Sequence, residues 1–160
     1  ELIQAIHLLK ANGNAWRANA IYRHLARELT SAGELAILSA SAEKRGNNKL
    51  ALQIGKLANA RGLDVDTLAW PIGAIPCSAK PGTAGLALSY AIARQESAFD
   101  VGARSSADAR GLLQLLPGTA KAVARRNGVK YSSRRLSTDG GYNVTLGAAY
   151  LAEQLAEAVQ

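Results

Sequence analysis

The chain reads as all-α: a run of short helices, then a second helical part that carries a long irregular segment. Three observations predict this. Ala and Leu dominate, and apolar residues recur at helical spacing almost throughout. No segment alternates with a two-residue period for long enough to make a strand. Three of the four prolines fall within residues 71–82, PIGAIPCSAKPG, and interrupt the periodic stretches there.

In the first part, Leu2, Ile3, Ile6 and Leu9 share one stripe, which ends at Asn12-Gly13-Asn14. Trp16, Ala20, Leu25 and Leu29, with Ile21 and Tyr22, make a second helix. Ser31 stands three residues before Glu34, the spacing of a capping box, and Leu35, Leu38 and Ala42 follow on one face. Gly46-Asn47-Asn48 closes that helix. Leu50, Ile54, Leu57 and Ala58 carry the next, with Gly62 as a left-handed cap. Asp64 or Asp66 is placed to cap one more turn before Trp70-Pro71. Helices in antiparallel pairs with short polar breaks suit a helical repeat, or an ordinary bundle. The expected organisation is residues 1–72 as the helical-repeat segment, 73–82 as a Pro/Gly linker and 83–160 as a second domain.

In the second part, Thr83 to Ala98 is expected as a helix burying Leu86, Leu88, Ala91 and Ile92. An irregular stretch runs from Asp100 to Arg110. Pro117 suits the first turn of a helix reaching about Arg126 and ended by Gly128. A last helix runs from about Tyr142 through Val144, Leu146, Ala149, Leu151 and Leu155.

Composition excludes several function classes. At 48% hydrophobic and 19% charged residues the chain can build a core, so wholesale disorder is ruled out. No apolar run approaches the roughly 18 residues of a membrane span. No signal peptide is visible, but the chain also lacks Met and is expected to be trimmed at its start, so compartment stays open on that ground. A single cysteine, Cys77, forbids an internal disulfide framework and a Cys-based zinc site; with no His near it in sequence it is expected to be a free thiol without a catalytic role. His7 and His24 are far apart in sequence, and a surface or half-buried place suits both, so neither a metal nor a cofactor is expected. The net charge of +7 favours polyanionic partners. It is spread evenly, at net +4 over residues 1–82 (10 basic, 6 acidic) and net +3 over 83–160 (9 basic, 6 acidic). Aromatics at 5% are too few for a single-strand stacking platform, and Arg125-Arg126 and Arg134-Arg135 are the nearest thing to a nucleic-acid reader.

The stretch with chemical content is Ala91–Pro117, AIARQESAFDVGARSSADARGLLQLLP. An apolar helix delivers one carboxylate, Glu96, near its C-terminal end. The negative helix end and apolar neighbours Ile92 and Phe99 are expected to hold that carboxyl protonated, the form a glycosidic general acid needs. A surface glutamate paired with Arg94 or Arg104 is the plain alternative. Candidates for a second carboxylate are Asp100, Asp108 and Asp139, of which Asp100 reads as a turn residue and Asp139 as a turn or cap residue.

ARQESAFD, Ser105, the run Arg110-Gly111-Leu112-Leu113-Gln114-Leu115-Leu116-Pro117-Gly118-Thr119-Ala120 and the block Asn143-x3-Gly147-x2-Tyr150-Leu151 together resemble the soluble lytic transglycosylases. These are bacterial peptidoglycan-cleaving enzymes with a lysozyme-like domain. The resemblance covers roughly 83–155, and residues 1–72 look, less specifically, like the end of the superhelical segment that precedes that domain in the large members. It implies Glu96 as the single general acid and base that cleaves between N-acetylmuramic acid and N-acetylglucosamine and forms a 1,6-anhydro sugar. It implies Ser97 as a signature residue giving a supporting hydrogen bond, Ser105 near the sugar N-acetyl group, Gln114 in the same cleft, and Leu116 where a Met backbone often touches substrate. Asn143 and Tyr150 are implied to be structural. Periplasmic location, peptidoglycan glycan strands as partner and no cofactor follow from the same resemblance.

Leu113 replaces the commoner Met, and Asp108 stands where the family usually has Gly. The Ala-Tyr-Asn-Ala-Gly motif expected after the third block does not occur before Gln160. The resemblance therefore implies a partial lysozyme-like domain, weakly active or inactive by itself, with Leu112, Leu115 and Leu146 left partly exposed. The competing reading is a catalytically inactive helical module that binds glycan strands or a protein. A degenerate site of that kind is expected to lose its glutamate first, and Glu96 is present.

Overall fold

The computed structural model describes residues 2–63 and 65–158, except the side chain of Asp66. Among the described residues there are eight α-helices, two 3-10 turns and no strand. The chain divides into two compact units, Glu1–Pro71 and Ile72–Gln160.

The first unit holds α1 (Leu2–Ala11), α2 (Ala15–Glu28), α3 (Ala32–Glu43), α4 (Asn48–Ala60) and the single turn α5 (Asp66–Ala69). α1 packs on α2, α3 on α4, and α4 on α2 and α5. Gly13, Gly46 and Gly62 take φ of 74, 71 and 75, so α1, α3 and α4 end where glycine permits the left-handed turn. Leu35, Leu38 and Ala42 of α3 meet Leu50, Ile54 and Ala58 of α4 in one buried cluster. Each large aliphatic side chain so buried contributes about 1.5–3 kcal/mol. On α2 the buried stripe is Ala18, Tyr22 and Ala26, while Trp16 is 67% exposed. Small residues there let the helices approach closely, which a stripe through Trp16 would prevent. The Ser31 side chain makes no capping hydrogen bond, whereas Asn47 caps α4 by accepting from Leu50 N at 3.0 Å. Val65 occupies the cap position of α5; Asp64 and the Asp66 side chain, expected as caps, lie outside the described residues.

The second unit holds α6 (Gly85–Glu96), α7 (Pro117–Arg126) and α8 (Gly140–Ala158). Residues of the Pro/Gly segment pack within it. Ala74 and Ile75 are buried, and Lys80 N donates to Thr145 Oγ1 of α8 at 3.0 Å. α6 buries Ser89 and Ala93, while Leu86 and Ala91, expected inside, are exposed and Leu88 and Ile92 are half-buried. Ser89 is accommodated because its hydroxyl donates to Gly85 O, at 2.9 Å. Asp139 caps α8 by accepting from Tyr142 N at 2.9 Å. Leu112, Leu115 and Leu146 are buried rather than partly exposed. Leu115 and Leu146 join Val123, Leu136 and Tyr142 in the core of α7 and α8. Leu112 sits against Gly140, whose missing side chain leaves the space.

Candidate active site

Glu96 is the last residue of α6. The chain leaves the helix through two consecutive left-handed residues, Ala98 (φ 52) and Phe99 (φ 61), which is costly for residues with a Cβ. The cost is offset by burial of Phe99, which meets the Tyr90 ring edge-on at 5.8 Å. Tyr90 is itself held by Gly73 N, which donates to its hydroxyl at 2.7 Å. Phe99 is therefore turned into the core, and Glu96 is exposed. Glu96 is thus open to solvent and not enclosed between Ile92 and Phe99 as expected. Nor does Glu96 pair with Arg94 or Arg104: among the described residues its carboxylate has no ion pair or hydrogen bond, and Arg104 is bound to Asp108.

Ser97 is buried, with its hydroxyl 3.0 Å from Ala93 O and 2.9 Å from Leu112 O. It ties the end of α6 to the 111–116 segment. Its hydroxyl thus faces two backbone carbonyls and not solvent. Gln114 is half-buried, and its Nε2 donates to Gly111 O at 2.9 Å and Ala103 O at 3.3 Å. Both partners are carbonyls, so the amide nitrogen must face them and Oε1 remains to accept from a ligand. Ser105 is exposed at the base of a tight loop. Its backbone N donates to Ala109 O and its Oγ accepts from Ala109 N, each at 3.0 Å, which leaves the hydroxyl proton to donate. Leu116 is exposed and caps α7. The Ala103 carbonyl accepts from Gly111 N as well as from Gln114, so the loops of Ser105 and Gln114 are fastened together. Glu96 joins them through its neighbour Ser97; among the described residues its own side chain touches neither Ser105 nor Gln114.

Asn143 organises this region. It is wholly buried, accepts from Leu113 N at 2.8 Å, and donates to Arg110 O at 2.8 Å and Leu136 O at 3.0 Å. Gly111 (φ 74) lies against it: a Cβ there would clash with Leu136 O and the Asn143 amide. Gly147 likewise makes room for Leu113. Tyr150 is half-buried against the α7–α8 core.

The other carboxylates are committed elsewhere. Asp100 Oδ1 accepts from Gly102 N at 3.0 Å, closing a turn. Asp139 is held below the usual carboxylate range, first by its bond from Tyr142 N and then by Arg135. Asp108 (φ 64) is held low by Arg110 and then Arg104. Its bonds run to Arg110 Nε and Nη2, both at 2.9 Å, and to Arg104 Nε at 2.6 Å. Arg110, Ser133 and Tyr142 were not singled out by sequence reasoning; the one signal was an acidic residue standing where glycine is usual. Among the described residues no three His, Cys, Asp or Glu side chains gather as a metal site. Cys77 is exposed, and no helix there is long and apolar enough to cross a membrane.

Residues 79–159 match the family model of the transglycosylase SLT domain. A 63-residue stretch is 51% identical to a protein of Haemophilus influenzae described as a soluble lytic murein transglycosylase, covering 39% of this chain and 11% of that one. The fold is similar to the lytic transglycosylase Slt of Pseudomonas aeruginosa, solved as an inactive Glu-to-Gln mutant (TM-score 0.67, 31% identity, 95% of this chain and 25% of that one). It is also similar to the 70 kDa soluble lytic transglycosylase of Escherichia coli (TM-score 0.62, 23% identity, 94% of this chain and 24% of that one). The chain thus spans about a tenth of the curated relative and a quarter of each solved one.

Proposed function

Because this chain belongs to the transglycosylase SLT family, matched over residues 79–159, we propose that the protein carrying it cleaves the β-1,4 bond between N-acetylmuramic acid and N-acetylglucosamine in peptidoglycan. Glu96 gives its proton to the leaving glycosidic oxygen. The substrate's own acetamido oxygen stabilises the developing cation, while Ser105 and Gln114 Oε1 bind the N-acetyl group. Glu96, now a carboxylate, takes the proton of the C6 hydroxyl as that oxygen closes on C1. The product is a 1,6-anhydro sugar, and no water is consumed. The reaction needs no cofactor, and the substrate places the protein in the periplasm.

The observation that carries this reading is the isolation of Glu96. Among the described residues Asp100, Asp108 and Asp139 are each engaged by backbone or arginine, whereas Glu96, tied to the 111–116 segment through its neighbour Ser97, keeps its carboxylate uncommitted. Among the described residues none of those three aspartates is left free to serve as the second carboxylate of a hydrolysis. The inactive Glu-to-Gln form of the P. aeruginosa relative agrees with a reaction that rests on one glutamate.

Exposure of Glu96 favours a second reading, a non-catalytic helical module that binds glycan strands or a protein. Muropeptide analysis of sacculi digested by the full-length protein and by its Glu96→Gln variant decides. Anhydro-muropeptides from the first and none from the second are expected. Reducing ends would overturn the mechanism, and equal products from both would remove Glu96 from it.

A further inference from the structure

The Ser105 loop turns on Asp108, whose φ of 64 would suit glycine. The carboxylate spans two arginines. Arg110 grips it with Nε and Nη2, both at 2.9 Å, and Arg104 Nε reaches it at 2.6 Å. Arg110 is anchored in turn. Its Nη1 donates to Ser133 Oγ at 2.6 Å, its N donates to Leu115 O at 2.9 Å, and its carbonyl accepts from Asn143. Between Arg104 and Arg110 sit the bonds that shape the loop: Ser105 N to Ala109 O, Ala109 N to Ser105 Oγ, and Asp108 N to Ser105 O, each at 3.0 Å. The arginine fork thus closes the open side of the loop that presents Ser105.

We propose that Asp108 is a positioning residue: its carboxylate, forked between Arg104 and Arg110, holds the Ser105 loop in its substrate-binding form, so that affinity for the glycan depends on the clamp. The inference rests on the transglycosylase reading for its substrate. The clamp itself does not. The groups facing the carboxylate are Arg104 and Arg110, with Tyr131 beside Arg110, so the ion pair lasts until the Asp108 carboxyl is protonated.

Two substitutions separate charge from backbone. Asp108→Gly relieves the positive φ and removes the carboxylate; Asp108→Asn keeps the shape, is tolerated at that φ, and removes only the charge. In the full-length protein both are expected to raise KM for glycan oligomers about 3- to 10-fold with kcat within about twofold, as loss of a binding interaction requires. In a Ser105→Ala background the effect of Asp108→Asn on KM is expected to fall below about twofold, because the clamp acts through that hydroxyl. Amide exchange over residues 103–110, read by mass spectrometry, should quicken in both variants. The wild type should lose its protection relative to Asp108→Asn as pH falls through the lowered range of Asp108. Wild-type KM and wild-type exchange in Asp108→Gly would overturn the clamp. If the wild type turns over no glycan, exchange alone decides the clamp, and the functional reading fails separately.

Discussion

In the first unit the interior is Leu35, Leu38, Leu50 and Ile54 facing one another across helices. In the second, the segment from Ser97 to Leu116 is placed by Asn143, Ser97, Gln114 and the absent side chain of Gly111. Apolar packing is non-directional, so it tolerates changes of shape and grades its losses with volume. A buried hydrogen-bonded hub has no such latitude, because each lost partner strands a desolvated group. The candidate site was thus built on the less forgiving half, where backbone carbonyls and a buried amide set positions that loops alone would leave loose.

The largest effect expected is at Gly111. Gly111→Ala combines φ of 74 with a clash against Leu136 O and Asn143, and is expected to cost more than about 4 kcal/mol. Hydrogen exchange should show protection lost over 97–116 and kept over α2 to α4. Loss in both places would break the comparison.

Asn143→Ala and Leu35→Ala then compare hub with core. Leu35→Ala opens a cavity worth about 2–5 kcal/mol, and Leu35→Ile should recover most of it. Asn143→Ala strands Leu113 N and Leu136 O, at about 1–3 kcal/mol each in denaturant unfolding, and leaves Arg110 O with Leu115 N alone. Asn143→Asp and Asn143→Leu, near in volume, should not recover it, since neither can donate to both carbonyls.

Acid should weaken the second unit through its paired carboxylates. Asp108, Asp139 and Glu153 all have lowered folded values, caused first by Arg110, by Tyr142 N and by Arg126 respectively. For a lowered carboxylate the stabilisation is complete above the unfolded value near 4 and is lost as pH falls through the lower folded one. Thermal melts followed from pH 6 to pH 2 should therefore hold to about pH 4 and decline below it. A melt that rises below pH 4 would contradict the sign.

Periodicity made the first unit legible. Leu35, Leu38 and Ala42 follow from spacing alone, as does the helix from Pro117 to Arg126. It failed on α6, where Ser89 and Ala93 face inward and Leu86 does not, because a small serine that bonds its own helix packs as well as a larger apolar residue. The site was legible only as a motif. Nothing in the spacing of Glu96, Ser105 and Gln114 shows that Ser97 spends its hydroxyl on Leu112 O, or that Asn143 fastens residues 110 and 113 across 30 positions of chain. Such long-range polar pairs leave no period. Asp108 was visible as an anomaly, but its partners Arg104 and Arg110 were not.

The smallest effects test how literally helix-end signals can be taken in the first unit. Ser31 and Glu34 have the spacing of a capping box, yet the Ser31 side chain makes no capping bond. Asn47, noted only as part of a break, does cap, accepting from Leu50 N at 3.0 Å. Its amide also donates to Asn19 Oδ1 at 3.4 Å, which ties the start of α4 to α2. Removing a working cap costs about 1 kcal/mol, whereas a surface change away from any such feature stays within about 0.5 kcal/mol. Asn47→Ala is therefore expected to lower stability by about 1 kcal/mol and Ser31→Ala by less than about half of that, measured by urea unfolding with a shared m-value. The reverse order would mean that the sequence spacing is the better guide to that helix end, and that the first unit too is set by polar detail instead of by its apolar faces.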